Sequence, residues 1–216
     1  MNERPILFTP GNYQAILDGS KTQTRRIVKL PEERGAWEPF LFEGSKLLDS
    51  KGHAGEDLLC ISNTTTGKII ASPHGQVGDR LYVKEGLERH GSICRYRRDR
   101  KVIVPARCFT WQRNTLSPLH MPKWAARLWL EITEVRVERL QDISEEDAIA
   151  EGVREGSGQF AGVFICPPAM SGTTARDCYM RLWESINGPG SWDANPFVWA
   201  ITFKKTPPLD VRQAEA

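Results

Sequence analysis

The stretch Gly19-Ser20-Lys21-Thr22-Gln23-Thr24-Arg25-Arg26 combines a lysine, three hydroxyl side chains and two arginines within eight residues. It follows a predicted helix over residues 10–18, which starts with a hydroxyl cap at Thr9 and a proline at the first helical position. Gly19 suits the left-handed conformation that ends a helix. Polar side chains at a helix-to-strand junction can be presented to a cleft while packed elements hold them still. We therefore predict a functional site here.

The alternation of side chains along a strand decides which of these groups can meet. If a strand begins near Thr22, the side chains of Thr22, Thr24 and Arg26 point to one side of the sheet. Lys21 and Thr24 are three residues apart, so they converge only if Lys21 lies in the turn before the strand. The helix end at Gly19 predicts that turn.

The spacing of Gly19, Lys21, Thr24 and Arg26 resembles the signature of the ASCH domain, a small β-barrel related to the PUA RNA-binding fold. The end of the chain, residues 192–199, resembles the phage- and prophage-encoded branch of that family. Three further segments resemble the family in the same order: residues 77–83, 125–140 and 143–152. The similarity spans nearly the whole chain, although the minimal ASCH domain is shorter.

The pattern of elements predicts an α+β fold. Several short strands interleaved with about three helices favour a closed or nearly closed barrel, and the resemblance implies a PUA-like (ASCH) β-barrel with flanking helices. Residues 1–205 are predicted to form one domain, and residues 206–216 a frayed C-terminal tail. Insertions are predicted at about 29–57, 86–122 and 154–175.

Several elements are predicted from local patterns. Residues 124–140 alternate as a strand, with a one-residue slip near Thr133-Glu134 that indicates a β-bulge. Ser144 caps a helix reaching about residue 150 or 151. The remaining predictions are a hairpin over 58–71, a mobile glycine-rich loop over 154–172, a helix over 174–186 with Tyr179 and Trp183 in its apolar pattern, and a last strand over 197–203.

Composition excludes several classes of protein. The 216 residues are 40% hydrophobic and 26% charged, and the net charge of +2 is too mild to indicate nucleic-acid binding by itself. Five cysteines without a C-x-x-C pair argue against a disulfide framework and a zinc site. We expect no metal and no organic cofactor. The chain shows no secretory signal and no apolar run of about 18 residues, so we expect a cytoplasmic monomer that does not bind membranes.

The resemblance implies a catalytic set. In the ASCH family a bacterial amidohydrolase acting on N(4)-acetylcytidine uses a lysine and a threonine of the motif with a glutamate from a later helix. Lys21 and Thr24 stand at those motif positions, and Glu151 matches through a gapless alignment of residues 143–153. Glu145 and Glu146 are the alternatives if that alignment is shifted.

The chemistry of such a set is coherent. A threonine hydroxyl needs an adjacent base, and Lys21 can serve if desolvation and neighbouring cations lower its pKa. Glu151 could then protonate the leaving exocyclic amine. The alternative is structural: Lys21 is solvated, Thr24 is an ordinary strand residue, and Glu151 balances charge.

Two groups of residues are candidates for substrate binding. Arg25 and Arg26, with Thr22 beside them, suit a phosphate or a base edge, although both arginines could form ion pairs with Glu85 or Asp79. The cluster at residues 95–101 could track a phosphate backbone and stack a base; its candidate residues are Tyr96, Arg97 and Arg98. A solvated hairpin tip is the alternative for that cluster.

The leading functional hypothesis is an interaction with RNA or a modified pyrimidine nucleoside, with hydrolysis of an acyl amide on the cytosine exocyclic amine as the enzymatic reaction. A non-catalytic RNA-binding module is the first alternative. A metal-independent ribonuclease is the second, because the resemblance extends to proteins with RNA-cleaving activity.

Overall fold

The computed structural model describes residues 1–42, 58–91, 93–103, 113–166 and 170–208. Within these ranges the chain is α+β, as predicted, with many strands and few helices. The strands are β1 (Glu3–Leu7), β2 (Gln23–Ile27), β3 (Trp37–Phe42), β4 (Leu58–Asn63), β5 (Ile69–Ala71), β6 (Arg80–Lys84), β7 (Leu87–His90), β8 (Ile93–Tyr96), β9 (Thr115–Leu116), β10 (Trp129–Arg139), β11 (Arg154–Glu155), β12 (Phe164–Cys166), β13 (Met170–Gly172) and β14 (Phe197–Thr206). The α-helices are α1 (Pro10–Leu17), α2 (Glu145–Ala150) and α3 (Ala175–Asn187).

Five strands form a central mixed sheet in the order β1-β6-β10-β14-β2. β1 runs parallel to β6, and the other neighbours are antiparallel. The ladder between β10 and β14 shifts register between Ile132 and Glu134, which confirms the predicted bulge. A bulge bends its strand and increases the local twist, so the sheet curls around its core.

Within the described residues the central sheet does not close, so the fully closed form of the predicted barrel is absent there. β1 and β2 are its two edge strands. Side chains bridge part of the gap between them: Arg26 Nη2 donates to the Leu7 carbonyl oxygen at 2.5 Å, and the Arg26 guanidinium lies 5.3 Å from the centre of the Phe8 ring. Because a backbone ladder needs strands about 4.8 Å apart, an arginine and a phenyl ring in this space keep the edges unpaired.

The main core lies between the central sheet and α1. Leu81, Leu130 and Ile201 are fully buried in it, and Tyr13 and Ile16 of α1 cover them. A second apolar cluster joins α2, α3 and β12. Burial of apolar surface, worth about 25 cal/mol per Å², therefore fixes α3 across a cavity from the β2 edge, where the candidate site residues lie.

The segment 154–172, predicted as a mobile loop, contains the three short strands β11, β12 and β13, which form an antiparallel sheet, so the loop prediction was wrong at these strands. Residues 167–169 lie outside the described residues. The glycines suggested flexibility, but Phe164, Cys166 and Met170 pack in the cluster around α3. This burial offsets the entropy that ordering a glycine-rich segment costs.

Of two smaller sheets, one lies within the predicted insertion over residues 86–122, whereas only β3 of the other falls within the predicted insertion over residues 29–57. The hairpin predicted over residues 58–71 is present as β4 and β5, with β3 paired to β4. β7, β8 and β9 form the other sheet. Residues 104–112 of the predicted second insertion and residues 209–216 of the predicted tail lie outside the described residues.

The helix starts follow the predicted capping chemistry. Thr9 caps α1, Ser144 caps α2 by accepting from the Asp147 N–H, and Thr174 caps α3. The longest of the described helices, α3, has 13 residues, and none is long and apolar enough to cross a membrane.

Gly172 carries the first prediction, because β13 passes α3 too closely for a side chain. A Cβ at Gly172 would lie 2.4 Å from the Cys178 backbone nitrogen and 2.9 Å from its Cα. We expect Gly172→Ala to lower the free energy of unfolding by about 1–3 kcal/mol, measured by urea denaturation. The neighbouring exposed Ser171→Ala should change it by less than about 0.5 kcal/mol. Equal stability of the two variants would contradict the close packing.

Candidate active site

Backbone contacts bring Lys21 and Glu151 together. After α1 ends, Gly19 adopts a φ of 83° and turns the chain back. Lys21 then forms an isolated antiparallel bridge with Glu151, and the Thr22 N–H donates to the Ala150 carbonyl oxygen at 2.8 Å. The predicted turn before the strand is therefore present, and it directs Lys21 towards the end of α2.

The side chains of Lys21 and Glu151 form a buried ion pair. Lys21 Nζ donates to Glu151 Oε2 at 2.5 Å and to the Glu151 carbonyl oxygen at 2.7 Å. The two residues are only 2% and 4% exposed. Burial lowers the pKa of Lys21, although the Glu151 carboxylate opposes this shift. Lys21 therefore gives up its proton more readily than an exposed lysine does.

Arg25 is a fully buried hub of hydrogen bonds. Its Nε and Nη2 donate to Glu138 Oε1 at 2.9 and 2.6 Å, and Nη2 also donates to Asp147 Oδ2 at 2.8 Å. Its Nη1 donates to Gln23 Oε1 at 2.5 Å and to Glu151 Oε1 at 3.4 Å. All five guanidinium N–H groups are thus engaged, so the Arg25 side chain has no donor left for a substrate.

The acidic partners of the arginines differ from those considered in the sequence. Arg25 pairs with Glu138, Asp147 and Glu151 rather than with Glu85 or Asp79. Glu85 pairs with Arg127, at 2.7 Å. Asp79 accepts from the backbone N–H groups of residues 2 and 76.

Arg26 is charged without an acidic partner in the described part of the chain. Its one described hydrogen bond goes to the Leu7 carbonyl oxygen, and its Nε has no described partner. Burial lowers the pKa of Arg26, but an arginine remains protonated in proteins. Of the two motif arginines, Arg26 is the one that can donate to a ligand.

A cavity of about 500 Å³ lies between β2, the end of β1 and α3. We call it the β2 cavity; Thr24, Arg26 and Glu151 supply polar groups to its wall, and Tyr179 and Trp183 supply aromatic ones. It occupies the gap between the unpaired edges of the central sheet. Lys21 is not among its lining residues, so Glu151 is the member of the ion pair that faces it.

Two hydroxyl groups in the β2 cavity differ in their bonding. The Thr24 side chain, in a residue only 4% exposed, makes no hydrogen bond with any described residue. The Tyr179 hydroxyl donates to Glu151 Oε1 at 3.5 Å. Burial, and then the Glu151 charge, raise the pKa of Tyr179 well above its usual value, so the phenol stays protonated.

The remaining predicted site residues lie outside the β2 cavity. Thr22 is exposed and faces a different surface depression. Tyr96 is buried, donates to the Ala125 carbonyl oxygen at 2.7 Å and is covered by Arg127, so its ring is not free to stack on a base. Arg97 and Arg98 are exposed beside a neighbouring cavity.

The structure distinguishes among the candidate glutamates. Glu145 Oε2 accepts from the backbone N–H groups of Ala175 and Arg176 at the start of α3, which is a structural role. Glu146 is exposed and lines the surface depression near Thr22. Only Glu151 of the three lines the β2 cavity.

The aromatic wall and the acidic partners of Arg25 are not predicted by the sequence patterns. Tyr179 and Trp183 were assigned to an apolar helix face, and their four-residue spacing on that face was the available signal. Glu138 and Asp147 belong to a strand pattern and a helix cap, respectively. Their pairing with Arg25 had no local signal.

Comparisons with protein-family models, with curated proteins and with solved structures found no match to this chain. The resemblance to the ASCH family thus remains a prediction from the motif residues. Among the described residues, no group of three or more histidine, cysteine, aspartate or glutamate side chains is placed to hold a metal ion.

A double-mutant cycle tests the buried pair. Glu151→Gln leaves the Lys21 ammonium without its counter-charge, so we expect the free energy of unfolding to fall by about 3–5 kcal/mol. Adding Lys21→Met should recover part of this loss, with a coupling energy above about 1 kcal/mol. Urea denaturation of the four proteins measures both quantities.

The control for this cycle is the exposed pair Lys204–Glu131, in which Nζ lies 2.8 Å from Oε1. Its coupling energy should be below about 1 kcal/mol, because solvent screens an exposed pair. Similar coupling in the two cycles would contradict a special role for burial of the Lys21–Glu151 pair.

The Arg25 hub predicts a dependence of stability on pH. Burial alone would raise the pKa of Asp147, but the hydrogen bond from Gln23 and the charges of Arg25 and Arg136 outweigh it and lower that pKa below 3.8. The stability that Asp147 contributes is therefore present above about pH 4 and is lost as the pH falls through the folded-state pKa.

We expect Asp147→Asn to lose less stability than the wild type between pH 5 and pH 3, measured by urea denaturation at each pH. The exposed Asp142→Asn, three positions before the start of α2, is the control and should keep the wild-type slope. A wild-type slope in Asp147→Asn would show that Asp147 does not carry this pH dependence.

Proposed function

We propose that this chain binds a modified pyrimidine nucleoside in the β2 cavity and hydrolyses an acyl amide on its exocyclic amine. We also propose that it is a divergent ASCH protein with a PUA-like fold whose barrel is left open at β1 and β2. The observation that carries the proposal is the grouping of two side chains in one cavity: the Thr24 hydroxyl, which bonds to no described residue, and the Glu151 carboxylate, which is held by Lys21.

The size and lining of the cavity support a nucleoside. Small-molecule sites typically measure about 300–1,000 Å³ and combine an apolar wall with a few convergent polar groups. Here Tyr179 and Trp183 offer aromatic surface to a base. Arg26 offers guanidinium donors to a carbonyl oxygen such as that of a pyrimidine.

In the proposed reaction, Thr24 Oγ1 attacks the acyl carbon, and the C–N bond to the exocyclic amine breaks. The Thr24 proton passes to the Lys21–Glu151 pair, which returns a proton to the leaving nitrogen. Water then attacks the acyl-threonine ester with Glu151 as base, which releases the carboxylic acid and restores the Thr24 hydroxyl.

The roles within the pair follow from which residue faces the cavity. Lys21 Nζ is bonded to Glu151 and makes no hydrogen bond to Thr24. We therefore assign direct proton exchange with the ligand to Glu151, and to Lys21 the control of the charge on Glu151. The Tyr179 hydroxyl, which stays protonated, steadies the other carboxylate oxygen.

Binding without turnover is the second candidate. It is favoured by the hydrogen bonds from Lys21 Nζ to Glu151, because a lysine held as an ammonium could not accept the Thr24 proton. A site of that kind would bind the modified base by stacking and hydrogen bonding alone.

The test is to incubate the purified protein with a panel of N(4)-acylated cytidines and to measure cytidine release by chromatography. We expect the wild type to release cytidine and Thr24→Ala to be at least about 100-fold slower, because the nucleophile is removed. Thr22→Ala is the matched control, two residues away and outside the cavity, and should stay within about twofold of the wild type.

Three other outcomes of this experiment would change the proposed function. Substrate binding without cytidine release would replace the amidohydrolase with the binding module. Full activity of Thr24→Ala would exclude Thr24 as the nucleophile. Shortening of labelled RNA without added metal, in place of cytidine release, would favour the ribonuclease alternative.

A further inference from the structure

A second cavity lies directly beside the first. It measures about 510 Å³, and Lys84, Arg97 and Arg98 line it. We call it the Arg97 cavity. It shares Phe8 and Pro118 with the β2 cavity as a common wall. A ligand that extends past Phe8 and Pro118 would therefore reach from one cavity into the other.

The cations of the Arg97 cavity have no acidic partner in the described part of the chain. Lys84 Nζ donates to the Leu119 carbonyl oxygen. Arg98 donates to the Pro10 carbonyl oxygen at 2.6 Å and to Gln14 Oε1 at 2.8 Å. All of these acceptors are uncharged, so the positive charges of Lys84 and Arg98 are not neutralised.

Glu85, the one acidic residue among the described residues that line the Arg97 cavity, is already paired. Glu85 Oε2 and Oε1 accept from Arg127 Nε and Nη2 at 2.8 and 2.7 Å, which is a bidentate ion pair. A third N–H of Arg127 is directed to Asp99. Lys84, Arg97 and Arg98 thus give this cavity a net positive charge.

Arg97 is the cation best placed to receive an anion. It is exposed, and no described side chain bonds to its guanidinium. Its side chain lies over the backbone of Gly86, where a Cβ would come within 3.2 Å of Arg97 Cδ. The Arg97 N–H donates to the Gly86 carbonyl oxygen at 2.9 Å, which fixes the start of that side chain.

We propose that the Arg97 cavity binds a phosphate group of the ligand whose base lies in the β2 cavity. The ligand is then a nucleotide rather than a free nucleoside. Three cations that have no acidic partner among the described residues surround one concave site, and they match the charge and the acceptor oxygens of a phosphate. The position of the base rests on the proposed function, whereas the phosphate site rests on the Arg97 cavity alone. The phosphate belongs to a mononucleotide or to an RNA strand.

The test measures equilibrium binding by calorimetry at low ionic strength. The ligands are N(4)-acetylcytidine, its 5′-monophosphate, a trinucleotide with the same base at its centre, and ribose 5-phosphate. We expect the wild type to bind the monophosphate at least about tenfold more tightly than the nucleoside, because charge-assisted hydrogen bonds to the phosphate are stronger than hydrogen bonds between neutral groups. Arg97→Gln should lose most of this preference.

Lys101→Gln is the matched control, since it removes one exposed positive charge from the same cluster away from the cavity. It should keep the preference for the monophosphate. A trinucleotide that binds more tightly than the monophosphate would identify an RNA strand as the source of the phosphate, and the reverse order would identify a mononucleotide.

Ribose 5-phosphate separates this inference from the proposed function. Binding of ribose 5-phosphate that Arg97→Gln weakens supports the phosphate site even if no cytidine derivative binds. The inference is overturned if wild type and Arg97→Gln bind both the monophosphate and ribose 5-phosphate equally, or if neither phosphate compound binds. If the free nucleoside still binds in that case, only the phosphate site is excluded and the proposed function is not affected.

Discussion

The buried Arg25 guanidinium is the interaction on which the rest of the site depends. It joins Glu138 of β10, Asp147 of α2 and Glu151 just after α2. Removing an arginine from water is costly, and only a full set of charged acceptors offsets that cost. The Arg25 guanidinium therefore holds β2, β10 and α2 in one relative position, because each carboxylate would otherwise be buried without its partner.

The same arrangement makes Glu151 a carboxylate held from both sides. Lys21 bonds to Oε2, while Arg25 and Tyr179 approach Oε1 from the other side. A group fixed in this way cannot turn away when a ligand enters, so little reorganisation accompanies binding. The longer contacts at Oε1, 3.4 and 3.5 Å, are the ones that a ligand could most easily replace.

Local features could be predicted from the sequence, whereas distant pairings could not. Ser144 and the slip near Thr133-Glu134 act on neighbouring residues, and both the helix start and the bulge were correct. The acidic partners of Arg25 lie more than 100 residues away, with Glu138 separated from it by 113 positions. The glycine-rich segment over 154–172 was misassigned because its strands depend on packing against α3, which no local pattern records.

The open edge of β2 has a consequence for how recognition could evolve. The Thr22 carbonyl oxygen and the Val28 N–H form hydrogen bonds with β14. In an antiparallel ladder, alternate residues direct their backbone groups to opposite sides of the strand. The backbone groups of Arg25 and Ile27 therefore point away from β14, into the gap between the edge strands. A ligand lying there can bond to the main chain itself. Only a substitution to proline removes a backbone N–H donor. Hydrogen bonds from this backbone to a ligand would therefore be retained even if the surrounding side chains, including those of the motif, changed during evolution.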